Sequence, residues 1–188
     1  IAAITMGVGG CLLALLSIDA LKVHHLLLRR QWPFVIIGAL SIVAYPLAFY
    51  SAMHLSGVAI GNVISIGSAP LFTALLERIF DKQQLSRRWK ISAGLGLFGV
   101  ALLSFAKAKI AGEPITTQSY WGIGLGLLAG LGYATYSWVG HRLIRSGVSS
   151  RAAMGSQFGL GGVLLLPILI FTYSTVLHSA QSMAVGVY

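Results

Sequence analysis

Long apolar runs, mostly parted by short polar and basic segments, set the pattern of this chain. The runs are Ile1 to Ile18, Pro33 to His54, Gly57 to Glu77, Trp89 to Ala106, Tyr120 to Val139 and Ala152 to Tyr173, each 18 to 22 residues. A helix of that length covers about 30 Å, the thickness of the hydrocarbon layer of a bilayer. The pattern predicts an all-α integral membrane protein with six complete transmembrane helices.

The charges lie where that reading needs them. Lys22, Arg29 and Arg30 fall in one loop, Arg78, Lys82, Arg87, Arg88 and Lys90 in another, and Arg142, Arg145 and Arg151 in a third. The opposite side holds the short turn at Leu55 and Ser56 and the segment 107–119, with Lys107 and Lys109 only. Lysine and arginine accumulate on the cytoplasmic side of inner-membrane proteins, so loops 19–32, 78–88 and 140–151 are expected in the cytoplasm. Trp32, Trp89, Trp121 and Trp138 all sit at ends of apolar runs, where amphipathic indoles anchor at the interface.

Composition narrows the class. Only 9% of residues are charged and 56% are hydrophobic, which leaves a water-soluble domain of 188 residues too little polar surface. The net charge of +9 is spread over loops rather than gathered on one soluble face, so no nucleic-acid partner is expected. The single cysteine, Cys11, cannot form an internal disulfide and reads as a small core residue. Ile1 already lies inside an apolar run, and Met183 to Tyr188 read as another run beginning, so the sequence is expected to be a piece of a longer protein.

Polar groups inside the spans supply the candidate chemistry. Pro46, Pro70 and Pro167 each remove a helical hydrogen bond, freeing the carbonyls of Ile42, Ile66 and Val163, and are expected to kink their helices. Asn62, Ser65 and Ser68 are spaced by three before Pro70 and share roughly one face, which should meet protein or a wet cavity. Interhelical hydrogen bonding alone would also account for them. Tyr45, Phe49 and Tyr50 stand near one kink, and Tyr133, Tyr136 and Ser137 on a later span. The expected cavity lining is therefore Tyr45, Tyr50, Asn62, Ser65, Ser68 and Tyr133. The glycine pairs Gly57 and Gly61, Gly122 and Gly126, Gly126 and Gly130, and Gly155 and Gly159 keep the four-residue step of close helix packing.

No catalytic constellation emerges. The carboxylates Asp19, Glu77, Asp81 and Glu113 all lie near loops, and His24, His25, His54, His141 and His178 show no metal-ligand spacing. Neither a metal nor a cofactor is expected.

The run YPLAFYSAMHLSGVAIGNVISIGSAPLFTALL, Tyr45 to Leu76, followed by RRWKISAGLGLFGVALL, Arg87 to Leu103, resembles the EamA family of the drug/metabolite transporter superfamily. WGIGLGLLAGLGYATYSWVGHRLIRSG, Trp121 to Gly147, resembles the opening helix of that family's second repeat. The resemblance implies ten helices in two five-helix repeats, of which this chain holds helices two to seven and, near Ala184, the start of the eighth. The charge count adds that Ile1 to Ile18 runs inward and Ala152 to Tyr173 outward, as expected of an inverted pair. Residues 1–106 would be the first repeat without its first helix, 107–119 an external connection and 120–188 the start of the second repeat. Many relatives carry a Gly-Glu pair where this chain has Lys82 and Gln83, so a role of that glutamate does not transfer.

The expected function is a secondary transporter in the plasma (bacterial inner) membrane, exporting amino acids, related compounds or drugs by alternating access. Its partners are a small solute and the lipid bilayer, with the coupling ion and any homo-oligomer open. A noncatalytic membrane scaffold, using glycine-rich faces to bind other helices, is the alternative, and a membrane enzyme ranks third.

Overall fold

Backbone polar groups in lipid must be satisfied within their own segment, and helices do this without help from water. The structure, a computed structural model describing residues 2–82, 86–111 and 117–176, is helical throughout, with no strand among the described residues. In chain order the helices are α1 (Ala2–Leu16), α2 (Ile18–Val23), α3 (His25–Arg30), α4 (Trp32–Ser56), α5 (Val58–Phe80), α6 (Arg87–Ala111), α7 (Thr117–Arg145) and α8 (Ser150–Val176). By length and composition α4 and α5 can each cross a bilayer, and Thr5–Leu16 is a shorter apolar helix. In α7 the glycines, tyrosines and tryptophans dilute the apolar character that its length would otherwise carry.

Several boundaries differ from those expected. Segment 19–32 is not an open loop, because α2 and α3 occupy it between single-residue turns at Ser17, His24 and Gln31. Helix α6 continues through Lys107 and Lys109 to Ala111, and α7 runs on to Arg145, so the connections after them are shorter than the charge pattern suggested. Gln83, Glu113, residues 112–116, His178 and the expected helix start near Ala184 lie outside the described residues.

Two turns show how local chemistry sets the helix ends. Only Gly57 separates α4 from α5, and its φ of 82° is one that a side chain would resist. It makes a turn, not the close helix contact expected of it, and a Cβ added there would meet nothing within 4 Å. Between α7 and α8, Gly147 adopts φ 96°, its N–H donates to the Ile144 carbonyl at 3.0 Å, and the Val148 N–H donates to Leu143 at 3.2 Å. These two bonds close a Schellman motif. Ser149 then caps α8, its Oγ accepting from the Ala152 N–H at 3.3 Å.

The chain divides into two units, Ile1–Val43 with Gly140–Tyr188, and Ala44–Val139. In the first, α1 and α8 run antiparallel and meet through glycines on both helices. A Cβ at Gly10 would collide with the Phe158 carbonyl oxygen, one at Gly162 would stand 2.8 Å from the Gly7 carbonyl oxygen, and one at Gly159 would stand 2.6 Å from the Ala14 Cβ. Gln157 of α8 is fully buried in this unit, its amide lying against Gly38 and Gly140. Its Nε2 donates to the Ala153 carbonyl at 3.2 Å.

In the second unit α4 and α5 form an antiparallel hairpin, a Cβ at Gly61 falling 2.7 Å from the Met53 nitrogen. Helices α5 and α7 run parallel. A Cβ at Gly126 would stand 3.1 Å from Ile64, one at Gly130 would collide with the Ser68 hydroxyl, and Trp138 meets Asp81 further along. Helix α6 packs on α5.

Candidate functional site

The second unit holds a cavity of about 690 Å³ between α4, α5, α6 and α7. Helix α5 supplies its long wall, with Ser65, Ala69, Thr73 and Glu77 at four-residue steps and Ile66, Pro70 and Ala74 beside them. Twelve residues separate Ser65 from Glu77, so this wall runs for about 18 Å. Tyr45 of α4, Trp89 of α6, and Tyr133 and Ser137 of α7 complete the lining.

The walls divide by chemistry. Tyr45 and Tyr133 meet edge to face with ring centres 5.9 Å apart, and Tyr136 closes the cluster at 5.1 Å from Tyr133 and 6.4 Å from Tyr45. Edge-to-face aromatic packing of this kind holds rings in place. The Ser65 hydroxyl donates to the Gly61 carbonyl at 2.7 Å, and that of Thr73 donates to Ala69 at 3.0 Å, so both keep oxygen lone pairs for a guest. Among the described residues Glu77 is the one carboxylate in the lining, and no described lysine or arginine joins it.

Beyond Glu77 the end of α5 is fastened to α7. Trp138 Nε1 donates to Asp81 Oδ2 at 2.7 Å, and its ring packs on Phe80 with centres 5.1 Å apart. Trp138 is only 5% exposed, so its indole is a buried fastening and not the interfacial anchor that its position suggested. Trp32 and Trp121 are open, at 59% and 71% exposure.

Of the expected lining residues, Tyr45, Ser65 and Tyr133 face this cavity, as does Pro70. Asn62 lies about a turn before Ser65 and outside the lining. Ser68 is buried, its Oγ 3.4 Å from the Ser65 carbonyl and its hydroxyl beside Gly130. Tyr50 is exposed and packs edge to face on Phe49, with centres 5.5 Å apart. Pro46 is buried within α4, Pro167 is exposed on α8, and all three prolines sit in helices that continue through them.

Ser137, expected near the cavity beside Tyr133, joins the lining, and so do Thr73, Glu77 and Trp89, whose positions suggest other roles or none. Glu77 was read as a loop-proximal carboxylate, yet it lies within α5 and is half-buried. The four-residue step from Ser65 to Glu77 was the available signal. The expectation of an interfacial boundary at Glu77 hid it.

The profile of the EamA-like transporter family matches residues 1–105. The chain is 29% identical over 138 residues to the uncharacterised transporter YwfM of Bacillus subtilis, covering 73% of this chain and 44% of that protein. It is 30% identical over 165 residues to an uncharacterised transporter of Helicobacter pylori, covering 84% of this chain and 53% of that protein. A second Bacillus subtilis relative, the uncharacterised transporter YyaM, is 26% identical over 156 residues, which is 82% of this chain and 49% of the relative. The chain therefore spans about half the length of these relatives. No solved structure matches it. Apolar helices and family profile agree: this is an integral membrane protein, and the chain belongs to the EamA-like transporter family.

Proposed function

We propose that the whole protein is a secondary transporter moving small metabolites out across the plasma (bacterial inner) membrane by alternating access. The observation that carries this reading is the cavity of about 690 Å³ with hydroxyl, aromatic and carboxylate walls, in a chain of a transporter family. Tyr45, Ser65 and Tyr133 touch the solute, with Thr73, Glu77, Trp89 and Ser137 beside them. Amino acids, related compounds or drugs are the solute class.

The wider architecture is ten helices in two inverted five-helix repeats, of which this chain contributes six spans. Residues 1–106 belong to the first repeat, 107–119 connect outside the cell, and 120–188 begin the second. Loops 19–32, 78–88 and 140–151 face the cytoplasm. The antiparallel pairing of α1 with α8 supports this reading, since these are the matching second helices of the two repeats. The parallel course of α5 and α7 supports it too, because alternate spans cross in the same direction.

Vesicles loaded with a panel of metabolites test the proposal when efflux is compared with and without the full-length protein. Faster efflux of at least one solute is expected, and equal rates across a broad panel would overturn the reading. Ser65→Ala and Asn62→Ala separate the wall from its surroundings. Ser65→Ala should slow flux several-fold at normal expression, whereas Asn62→Ala, outside the lining, should leave it within about twofold.

A further inference from the structure

The geometry points to an organic cation as the guest of this cavity, a protonated amine on an apolar or aromatic body, with Glu77 as the group that holds its charge. This rests on the transporter reading of the same cavity and narrows its solute class. Three observations carry it. First, among the described residues Glu77 is the only charged side chain in the lining and forms no ion pair, and it is half-buried. A carboxylate drawn out of water into an apolar wall is stabilised most by a cation brought to it.

Second, the rest of the lining suits the body of such a guest. Tyr45, Tyr133 and Trp89 present aromatic surface around the cavity, and aromatic faces attract cations while their area takes up an apolar body. Third, the neighbouring basic residues stay outside. Arg78, Lys82, Arg87, Arg88 and Lys90 are all exposed, and none lines the cavity, so no cationic side chain among the described residues is placed to retain an anion there. Exposed charges are also screened by salt over about 8 to 10 Å, whereas a partly buried carboxylate is screened much less.

The placement of Glu77 is held from the side. One turn further along, Asp81 is hydrogen-bonded to Trp138, which fixes the end of α5 against α7 and keeps Glu77 and Ser137 on the same cavity. Asp81 itself is engaged there and does not line the cavity. Among the described residues, selectivity for a cation therefore belongs to Glu77.

The test uses the full-length protein in lipid nanodiscs with three probes of one shape, namely 2-phenylethylamine as its cation, neutral 2-phenylethanol and anionic phenylacetate, read by titration calorimetry. The cation is expected to bind at least about tenfold more tightly than the other two. Glu77→Gln should bring its affinity down to that of the alcohol and leave the alcohol unchanged, while Glu77→Asp keeps part of the preference. Equal binding of all three probes, no binding of the cation by the folded wild type, or an unchanged cation affinity in Glu77→Gln would each overturn the inference. Should Glu77→Gln fail to fold, the wild-type probe order and Glu77→Asp decide. Efflux of neutral or zwitterionic solutes without cation binding would overturn this inference and keep the transporter; Glu77-dependent cation binding without efflux of any solute would do the reverse.

Discussion

The α1 and α8 pair and the four-helix cavity use the same small residues to opposite effect. In the first, both helices supply glycine: Gly7 and Gly10 face Gly159 and Gly162, so backbone meets backbone and no room is left. In the second, α7 brings Gly126 and Gly130 against Ser65 and Ser68, which closes only that edge of α5. The neighbouring edge faces Tyr45, Tyr133 and Trp89, whose rings stand as spacers and leave about 690 Å³ open. Whether a glycine-rich helix packs dry or borders a hollow is thus decided by the size of the residue opposite it.

That contrast can be broken most severely in the first unit. Gly10→Leu drives a side chain into the Phe158 carbonyl, where backbone cannot yield, and should cost about 3 kcal/mol or more. The result would read as loss of folded protein or a large fall in Tm in detergent, and an unchanged Tm would contradict the close α1 to α8 packing. Gly130→Val presses on the Ser68 hydroxyl and the Ser65 carbonyl, but the hydroxyl can rotate away, so about 2 kcal/mol is expected in the same measurement.

Trp138→Phe keeps the ring against Phe80 and removes the hydrogen bond to Asp81, a loss of about 1.5 kcal/mol. Asp81→Asn, which leaves an acceptor in place, should lose less; equal losses would show that the charge of Asp81 matters beyond accepting that bond. A gain is expected at Gln157, whose buried Oε1 has no hydrogen-bond partner among the described residues. Gln157→Met conserves volume and should raise stability by about 1 kcal/mol, and a fall in Tm would show that the amide is held for function. The smallest effect belongs to Gly94 of α6, where nothing stands within 4 Å of an added Cβ, so Gly94→Ala should change stability by less than about 1 kcal/mol, upward.

Much of the fold was legible because lipid imposes a length. The runs Pro33 to His54 and Gly57 to Glu77 became α4 and α5 with ends shifted by only a few residues. What was hidden depends on partners distant in sequence or on local bonds. Lys107 and Lys109 read as loop because charge marks the membrane surface, yet a helix can continue past the surface to Ala111. The segment 19–32 read as loop for the same reason, although hydrogen bonds such as that from the Leu21 N–H to the Ser17 carbonyl at 2.8 Å need no lipid.

The site was legible in kind and blurred in detail. Asn62, Ser65 and Ser68 share a face only loosely, since each three-residue step turns the direction by about 60°. Ser68 therefore points to Gly130 while Ser65 lines the cavity. Trp138 obeys the same positional rule as the exposed Trp32 and Trp121, and what distinguishes it is packing on Phe80 and a bond to Asp81, 57 residues away.

The single residue between α4 and α5 bears on how the protein can be probed. With Gly57 alone as connection, the folded α4 and α5 can part at this end only by unwinding a helix turn, because one residue cannot reach around a helix end. The tip has no slack for a protease, an inserted tag or a sugar, so probes of membrane sidedness belong in the longer connections and not here.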